Sequence, residues 1–443
     1  MPTPTFRTLT VMLSCSAVAL AACTGDVTQE TTPDPPSGPT ATPATGALLW
    51  SRTYGEGWDD SGTSLVLTNE GNARFLGSAQ LDGSTDPAET RQLLMEVDGD
   101  GNLVRRTRIG PSSAYQVGLG LEAVGVKGEH VVTGGFANAN ELAGCSLVGP
   151  AGYGGELVAT LDAEGACLWA TTFGAQLDFS SLDVSPTGEI LIAGVGKPGA
   201  SLAPGVTLPV PEEGGARFHA RYSPAGKLLS VHDAGGPALP IARFDHDGGI
   251  ILYAHPHIAR IDAQDATSWS WELKTPGWVH ALVVAGPTVV MGTWESSQLT
   301  LRSLHTNDGS EAWEMPISGA SDTDLGPIGL GGSDGGNVVL AAHLAGGKTI
   351  SLGATKLTGT GKDNLFWALI DGSGSVLRSQ VVPVDGTIYA SEAATDAAGD
   401  VWVLGTFTGG VDFGDGFHAG HPVPPPVKPL DLTGYDVFLA RYH

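Results

Sequence analysis

The stretch Leu48-Leu49-Trp50-Ser51-Arg52-Thr53-Tyr54-Gly55 reads as a β-strand, and its pattern returns almost residue for residue in Leu168-Trp169-Ala170-Thr171-Thr172-Phe173-Gly174. At the far end, Tyr435-Asp436-Val437-Phe438-Leu439-Ala440-Arg441-Tyr442 reads as another strand, one that elsewhere in the chain is followed by a partner strand. One end therefore holds a spare strand and the other lacks one. Pairing them closes a ring and removes sheet edges that would otherwise stay open. An open solenoid or two separate sandwiches would leave both ends without a partner.

Between these ends the helical period is nearly absent, and short alternating runs are separated by Gly and Asp/Asn turns. Two hairpins alternate. The first turns on Glu70-Gly71-Asn72, Thr187-Gly188-Glu189 or Ala398-Gly399-Asp400; the second turns on Asp98-Gly99-Asp100-Gly101-Asn102, Glu164-Gly165, Ala225-Gly226 or Ser373-Gly374. Gly and Asn suit such turns because tight hairpins place residues at positive φ. Seven copies of the double hairpin are expected, with first turns near Gly71, Gly128, Gly188, Gly248, Gly286, Gly335 and Gly399. Their spacing of about 55 residues suits a four-stranded propeller blade with a generous loop. The fourth and fifth copies are the weakest. The expected fold is all-β: a seven-bladed β-propeller of four-stranded antiparallel blades over residues 47–443, with the N-terminal strand completing the last blade.

The unit resembles bacterial SBBP-type propeller repeats. The Trp-x-x-x-aromatic-Gly strand, acidic loop and Gly-Asn hairpin from Trp50 to Gly77 carry the likeness, as do Val411-Asp412-Phe413-Gly414 and the closing Tyr435 strand. Two middle copies, ending at Trp271 and at Gly309 to Trp313, are similar to quinoprotein-type repeats. Both resemblances imply a propeller, and neither implies an activity.

With 22 Lys+Arg against 47 Asp+Glu, the formal charge is −25, which repels phosphate backbones and excludes nucleic acid as a partner. Residues 1–22 read as an export signal: Arg7, an apolar run over 9–21 too short to span a bilayer, then Leu20-Ala21-Ala22-Cys23. That ending resembles the bacterial lipobox, which implies cleavage before Cys23 and lipidation of its thiol. Thr24 follows, without the Asp that marks inner-membrane retention, so an outer-membrane or cell-surface address is expected. Residues 23–46, rich in Thr and Pro, bury no core and read as a disordered tether. The remaining cysteines, Cys145 and Cys167, are an even pair in an oxidising compartment. A disulfide between them requires the Cys145 loop to fold back along its blade, because the register puts the two at opposite ends.

Asp98, Asp100 and Asn102 have the alternating spacing of a calcium loop, but Leu103 and Ile109 stand where its Gly and Glu belong. Asp59, Asp60, Asp412 and Asp415 are loop acids of the same kind. His255 with His257, and His418 with His421, could each contribute two metal ligands, with no third in sequence. Ala342-His343-Leu344-Ala345-Gly346-Gly347-Lys348-Thr349 mimics a phosphate loop but precedes β residues, so it reads as an interstrand loop. Trp50, Trp169, Trp271 and Trp313 read as packing between blades. The long loops 83–89, 138–154, 197–215, 344–364 and 409–434 are the expected functional surface.

The expectation is a lipid-anchored, monomeric, non-catalytic binding module that meets an envelope protein or polysaccharide, needs no cofactor, and has Ca²⁺ as the one ion its acids could hold. An outer-membrane assembly scaffold, or a propeller lyase, glycosidase or quinoprotein, are the alternatives.

Overall fold

β-Branched and apolar residues alternate with polar ones along each run, and Gly at positive φ ends it: Gly71, Gly128, Gly188, Gly248, Gly286, Gly336 and Gly399 all sit there. In the sixth copy the residue is Gly336, one beyond the expected Gly335. The computed structural model describes residues 44–443 apart from 55–60, 69, 81–89, 110–116, 126, 137–140, 149–154, 175, 198, 209–214, 274–276, 320, 322–323, 327 and 421–434.

Seven antiparallel four-stranded blades form a β-propeller. From inner to outer strand, blade 1 is Ser61–Leu67, Ala73–Gln80, Thr90–Val97, Leu103–Arg108; blade 2 is Val117–Val124, His130–Phe136, Gly155–Leu161, Cys167–Gly174; blade 3 is Leu177–Val184, Ile190–Gly196, Ala216–Tyr222, Leu228–Asp233. Blade 4 is Ile241–Phe244, Ile250–Ala254, His257–Ile261, Thr267–Glu272; blade 5 is Gly277–Ala285, Thr288–Glu295, Gln298–His305, Glu311–Ser318; blade 6 is Ile328–Gly332, Val338–Ala345, Asp363–Ile370, Val376–Val384. Blade 7 is Ile388–Thr395, Val401–Phe407 and Asp436–Tyr442, with Leu48–Tyr54 as its outer strand. Each inner strand neighbours the next, and blade 7 returns to blade 1.

Closure is made as expected. Trp50 lies opposite Arg441, Arg52 opposite Leu439 and Tyr54 opposite Val437. Ala47 and His443 exchange backbone hydrogen bonds at 3.2 and 2.8 Å. The last three residues of the segment expected as tether are described, and there Ala44–Thr45 runs parallel to the outer strand of blade 6.

Buried hydrophobic residues fall into seven clusters, one wedged between each neighbouring pair of blades. Hairpins inserted between the second and third strands reinforce some wedges. Thr349–Leu352 with Thr355–Thr358, inserted in blade 6, adds to the outer strand of blade 5. Gly410–Asp412 with Phe417–Ala419, inserted in blade 7, adds to that of blade 6. Blades 4 and 5 have tight turns instead. In blade 5 the turn is Ser296-Ser297, both at positive φ. That turn carries no glycine to announce it, and blade 5 is a full blade rather than a weak copy. Blade 4 is short.

Outer-strand tryptophans latch four of the seven blades to the next. Trp50, Trp169, Trp269 and Trp313 donate from the indole N–H to the backbone of Gly99, Pro224, Thr306 and Gly372 in the following blade's last turn. Gly101, Gly226, Gly309 and Gly374 lie flat on those rings, where a Cβ would come within 2.9 Å. The residue in register is Trp269; Trp271 also packs between blades as expected, against the wedge of blades 4 and 5 and beneath the Arg302 guanidinium. The phosphate-loop mimic ends one strand and turns at Gly346-Gly347 into the hairpin, as its reading required. Among the described residues no helix is long and apolar enough to cross a membrane.

Candidate functional site

The two ends of the blades differ in how they use their polar groups. At the end carrying the tight turns, Asp98 accepts from the N–H of Asp100 at 3.0 Å and of Asn102 at 2.8 Å. Asp162, Asp245, Asp262, Asp371 and Asp396 each repeat this with the residues two and four ahead. These hydrogen bonds to Asn102 and Asp100 hold the Asp98 carboxyl below its ordinary range. The spacing that resembled a calcium loop is a turn cap. Asp412 does the same for Gly414 and Gly416 in the blade 7 hairpin. Among the described residues no group of three or more His, Cys, Asp or Glu is arranged to hold a metal ion.

The opposite end, where second strands connect to third strands, presents aromatic and imidazole groups. In blade 5, Trp278 is 56% exposed and its indole N–H donates to His280 Nε2. The His280 ring packs edge-on to Trp294 at 6.2 Å, and burial holds its pKa below the ordinary value. A β-bulge beside His280 tips it out of the pleat. In blade 4, the Tyr253 hydroxyl meets His255 Nδ1 at 3.2 Å and accepts from the Val279 N–H.

Across blades 6 and 7, four elements converge. His343 ends the second strand of blade 6, Asp363 begins its third, Tyr389 begins the inner strand of blade 7, and Tyr435 precedes that blade's third strand. His343 Nε2 meets Asp363 Oδ1 at 2.6 Å. The His343 and Tyr389 rings lie 5.9 Å apart at 45°, and Tyr389 and Tyr435 6.3 Å apart at 48°. Burial, then the neighbouring Tyr435 and Asp363, keep the Tyr389 phenol protonated above its ordinary range.

Deeper in, the inner strands of blades 3, 4 and 7 bring Asp183, Arg243 and Glu392 together across the ring. Both carboxyls are half-buried. Burial raises both, Glu392 to about 7, and Arg243 opposes each rise. Nearer the loop end, burial and the facing Asp178 push Glu156 up to about 7.

Asp415 and His418 meet Ser51. The Ser51 hydroxyl lies 2.7 Å from Asp415 Oδ1 and 2.8 Å from His418 Nε2, and the Ser51 N–H donates to Asp415 at 2.9 Å. Burial alone would raise the Asp415 carboxyl, but hydrogen bonds from Ser51 and His418 outweigh it and hold it low. The trio is not a catalytic relay. Both His418 contacts use Nε2, and Ser51 is fully buried. It fastens the closing strand to the blade 7 hairpin. Cys145 and Cys167 are joined, with Cα atoms 5.6 Å apart, because the blade 2 insertion folds back until the Cys167 N–H donates to Ala143. Cys23, Asp59, Asp60 and His421 lie outside the described residues, as do loop 83–89 and parts of the other long loops.

Asp363, Tyr389, Asp183, Arg243 and Glu392 carried no motif, and His343 was read only as part of the phosphate-loop mimic. They stand at strand ends or on inner strands of different blades, and only the ring's geometry brings them together. The one available signal was the position of strand starts beside the long loops.

No protein-family model matches the sequence, and no curated protein matches it. Solved structures do. The WD40 domain of Neurospora crassa Pan2 is 7% identical with a TM-score of 0.48, over 89% of this chain and 95% of that one. A protein of unknown function from Dyadobacter fermentans is 8% identical with a TM-score of 0.46, over 90% and 99%. An uncharacterized Listeria monocytogenes protein is 8% identical with a TM-score of 0.41, over 81% and 94%. It is the strand pairing and the closed ring of inner strands that make the chain a seven-bladed β-propeller.

Proposed function

We propose that this protein is an envelope propeller, anchored through lipid on Cys23 and built of SBBP-like blades, that binds a partner with the loop end of its ring. One observation carries the reading. The turn end spends its carboxylates on capping its own backbone, whereas the loop end leaves Trp278 and Tyr389 exposed beside imidazoles and carboxylates. Exposed aromatics on a rigid scaffold are the side chains that anchor binding interfaces.

Two measurements test this. Full-length protein labelled with radioactive palmitate should carry label on Cys23 and lose both label and membrane association in Cys23→Ser. Purified lipoprotein should be retained on isolated envelopes, and Trp278→Ala should weaken that retention about tenfold, as loss of one aromatic anchor does. Unlabelled protein refutes the anchor, and unchanged retention in Trp278→Ala refutes the binding face.

A further inference from the structure

The arc His343, Tyr389, Tyr435, backed by Asp363, is more specific than a general interaction face. We propose that it holds one ring of a neutral saccharide. The inference rests on reading the loop end as a binding face.

A sugar ring offers an apolar C–H face and a rim of hydroxyls that both donate and accept. The arc is complementary on both counts. Its three rings, about 6 Å apart, tilt successively by 45° and 48°, so they curve around a ligand instead of stacking on one another. Tyr389 is 37% exposed and supplies an open aromatic face. No described residue hydrogen-bonds either phenol hydroxyl, which leaves two donors at the rim. Asp363 fixes the imidazole through Nε2 at 2.6 Å, and the Nδ1 side of the ring lies against Gly326, so His343 backs the arc as a held ring. Groups placed by the strands of two blades lower the ordering cost of binding.

Charge narrows the class. The arc's one carboxylate is engaged by the imidazole, and none of its four residues is a lysine or arginine, the exposed Lys362 beside Asp363 being the adjoining cation in sequence. A chain of net charge −25 also repels polyanions at long range. A neutral glycan meets neither penalty.

Isothermal titration of the full-length protein with cellohexaose, maltohexaose and chitohexaose, and with polygalacturonate as the anionic comparison, tests the proposal. At least one neutral hexaose should bind saturably and polygalacturonate should not. Tyr389→Ala should weaken that binding about tenfold or more, and Tyr389→Phe, which keeps the ring, should weaken it less. Leu229→Ala, on the outer rim of blade 3, should leave it unchanged. Thermal unfolding of each variant reports whether the fold is kept. The proposal falls if no neutral hexaose binds at millimolar concentration, if Tyr389→Ala in its folded form binds as well as wild type, or if polygalacturonate binds equally well. Envelope retention that still depends on Trp278 would then leave the binding face standing while the saccharide assignment fails. Loss of dependence on both residues would remove both readings.

Discussion

The seam between blades 3 and 4 and the seam between blades 5 and 6 join the same kind of element by different physics. Six buried hydrophobic residues fill the first wedge and nineteen the second. Part of the difference is the hairpin inserted in blade 6, whose Ile350, Leu352 and Leu357 thicken the second wedge from outside. Blade 4 has no such insertion, and its strands are only four to six residues long. The first seam is stitched by polar groups instead. The inner strand of blade 3 sends Ser180 Oγ to the Pro240 carbonyl. It also receives the Ala242 N–H on Ser181 at 2.9 Å and the Phe244 N–H on Asp183 at 2.7 Å. Hydrophobic burial sums over area, whereas each net hydrogen bond contributes only about 1 kcal/mol but fixes direction. A ring can thus be tight in one arc and merely well registered in another, and the registered arc should open first.

The largest expected effect tests that contrast directly. Phe366→Ala removes a fully buried ring from the thick wedge and should cost about 3–5 kcal/mol in urea unfolding. Phe244→Ala, in the thin wedge, should cost less, because a small cluster collapses around the gap more readily. Equal costs would mean that the two seams are energetically alike.

How much of this was legible depends on range. The ring closure was readable because the strand at Leu48 copies the one at Leu168, and hairpin turns announce themselves through Gly within a few residues. The thickness of each wedge was not, since it depends on which neighbour an inserted hairpin reaches. Trp269 was missed because two tryptophans share blade 4's outer strand, and only the bulge between Arg260 and Ile261 decides which is in register. The Asp98 spacing looked like a metal loop because a turn cap also needs a carboxylate oxygen aimed at successive neighbours, there to accept from their N–H groups. The arc at Tyr389 was unreadable, as its four residues come from four strand ends.

Blade 2 supplies a wedge reinforced covalently. Its insertion buries Leu142 and Leu147 against blade 1 and is tied down by the disulfide. The bridge spans 22 residues, so reduction should cost about 3 kcal/mol by loop closure, measured as a lower urea midpoint in dithiothreitol. An unchanged midpoint would show that apolar packing alone holds this insertion.

The thin seam also has an acid-sensitive member. His219 is 2% exposed, stacked on His232 at 5.2 Å, with Arg221, Asp233 and Asp265 around the pair. Burial, and next the neighbouring His232, lower its pKa from 6.5 to about 4. The fold therefore keeps it neutral while the unfolded chain takes up a proton below pH 6.5. Stability should fall as pH drops from 6.5 toward 4, by up to about 3 kcal/mol. Glu392, raised to about 7, works in the opposite sense, since its contribution is lost as pH rises from 4.5 through 7. The informative quantity is thus the difference between wild type and His219→Leu: the variant should lose the acid-side slope and keep the other. Parallel profiles would remove His219 as its source.

The smallest effect isolates the stitching itself. Ser181 is 1% exposed, and its hydroxyl is the described acceptor for the Ala242 amide on the next blade's inner strand. Ser181→Ala leaves that amide buried without an acceptor, which costs about 1–3 kcal/mol. The loss should appear as faster hydrogen exchange at Ala242 and Phe244 before it appears anywhere in blades 5 to 7. The matching deletion on the thick side is Thr349→Ala, which removes an exposed hydroxyl pair with Thr358 and should change stability by less than about 0.5 kcal/mol. If the seams differ as argued, a single hydroxyl matters where apolar area is scarce and is lost in the noise where it is plentiful. Equal responses would mean that registry at blades 3 and 4 is enforced by their neighbours in the ring, with the polar stitches as a consequence.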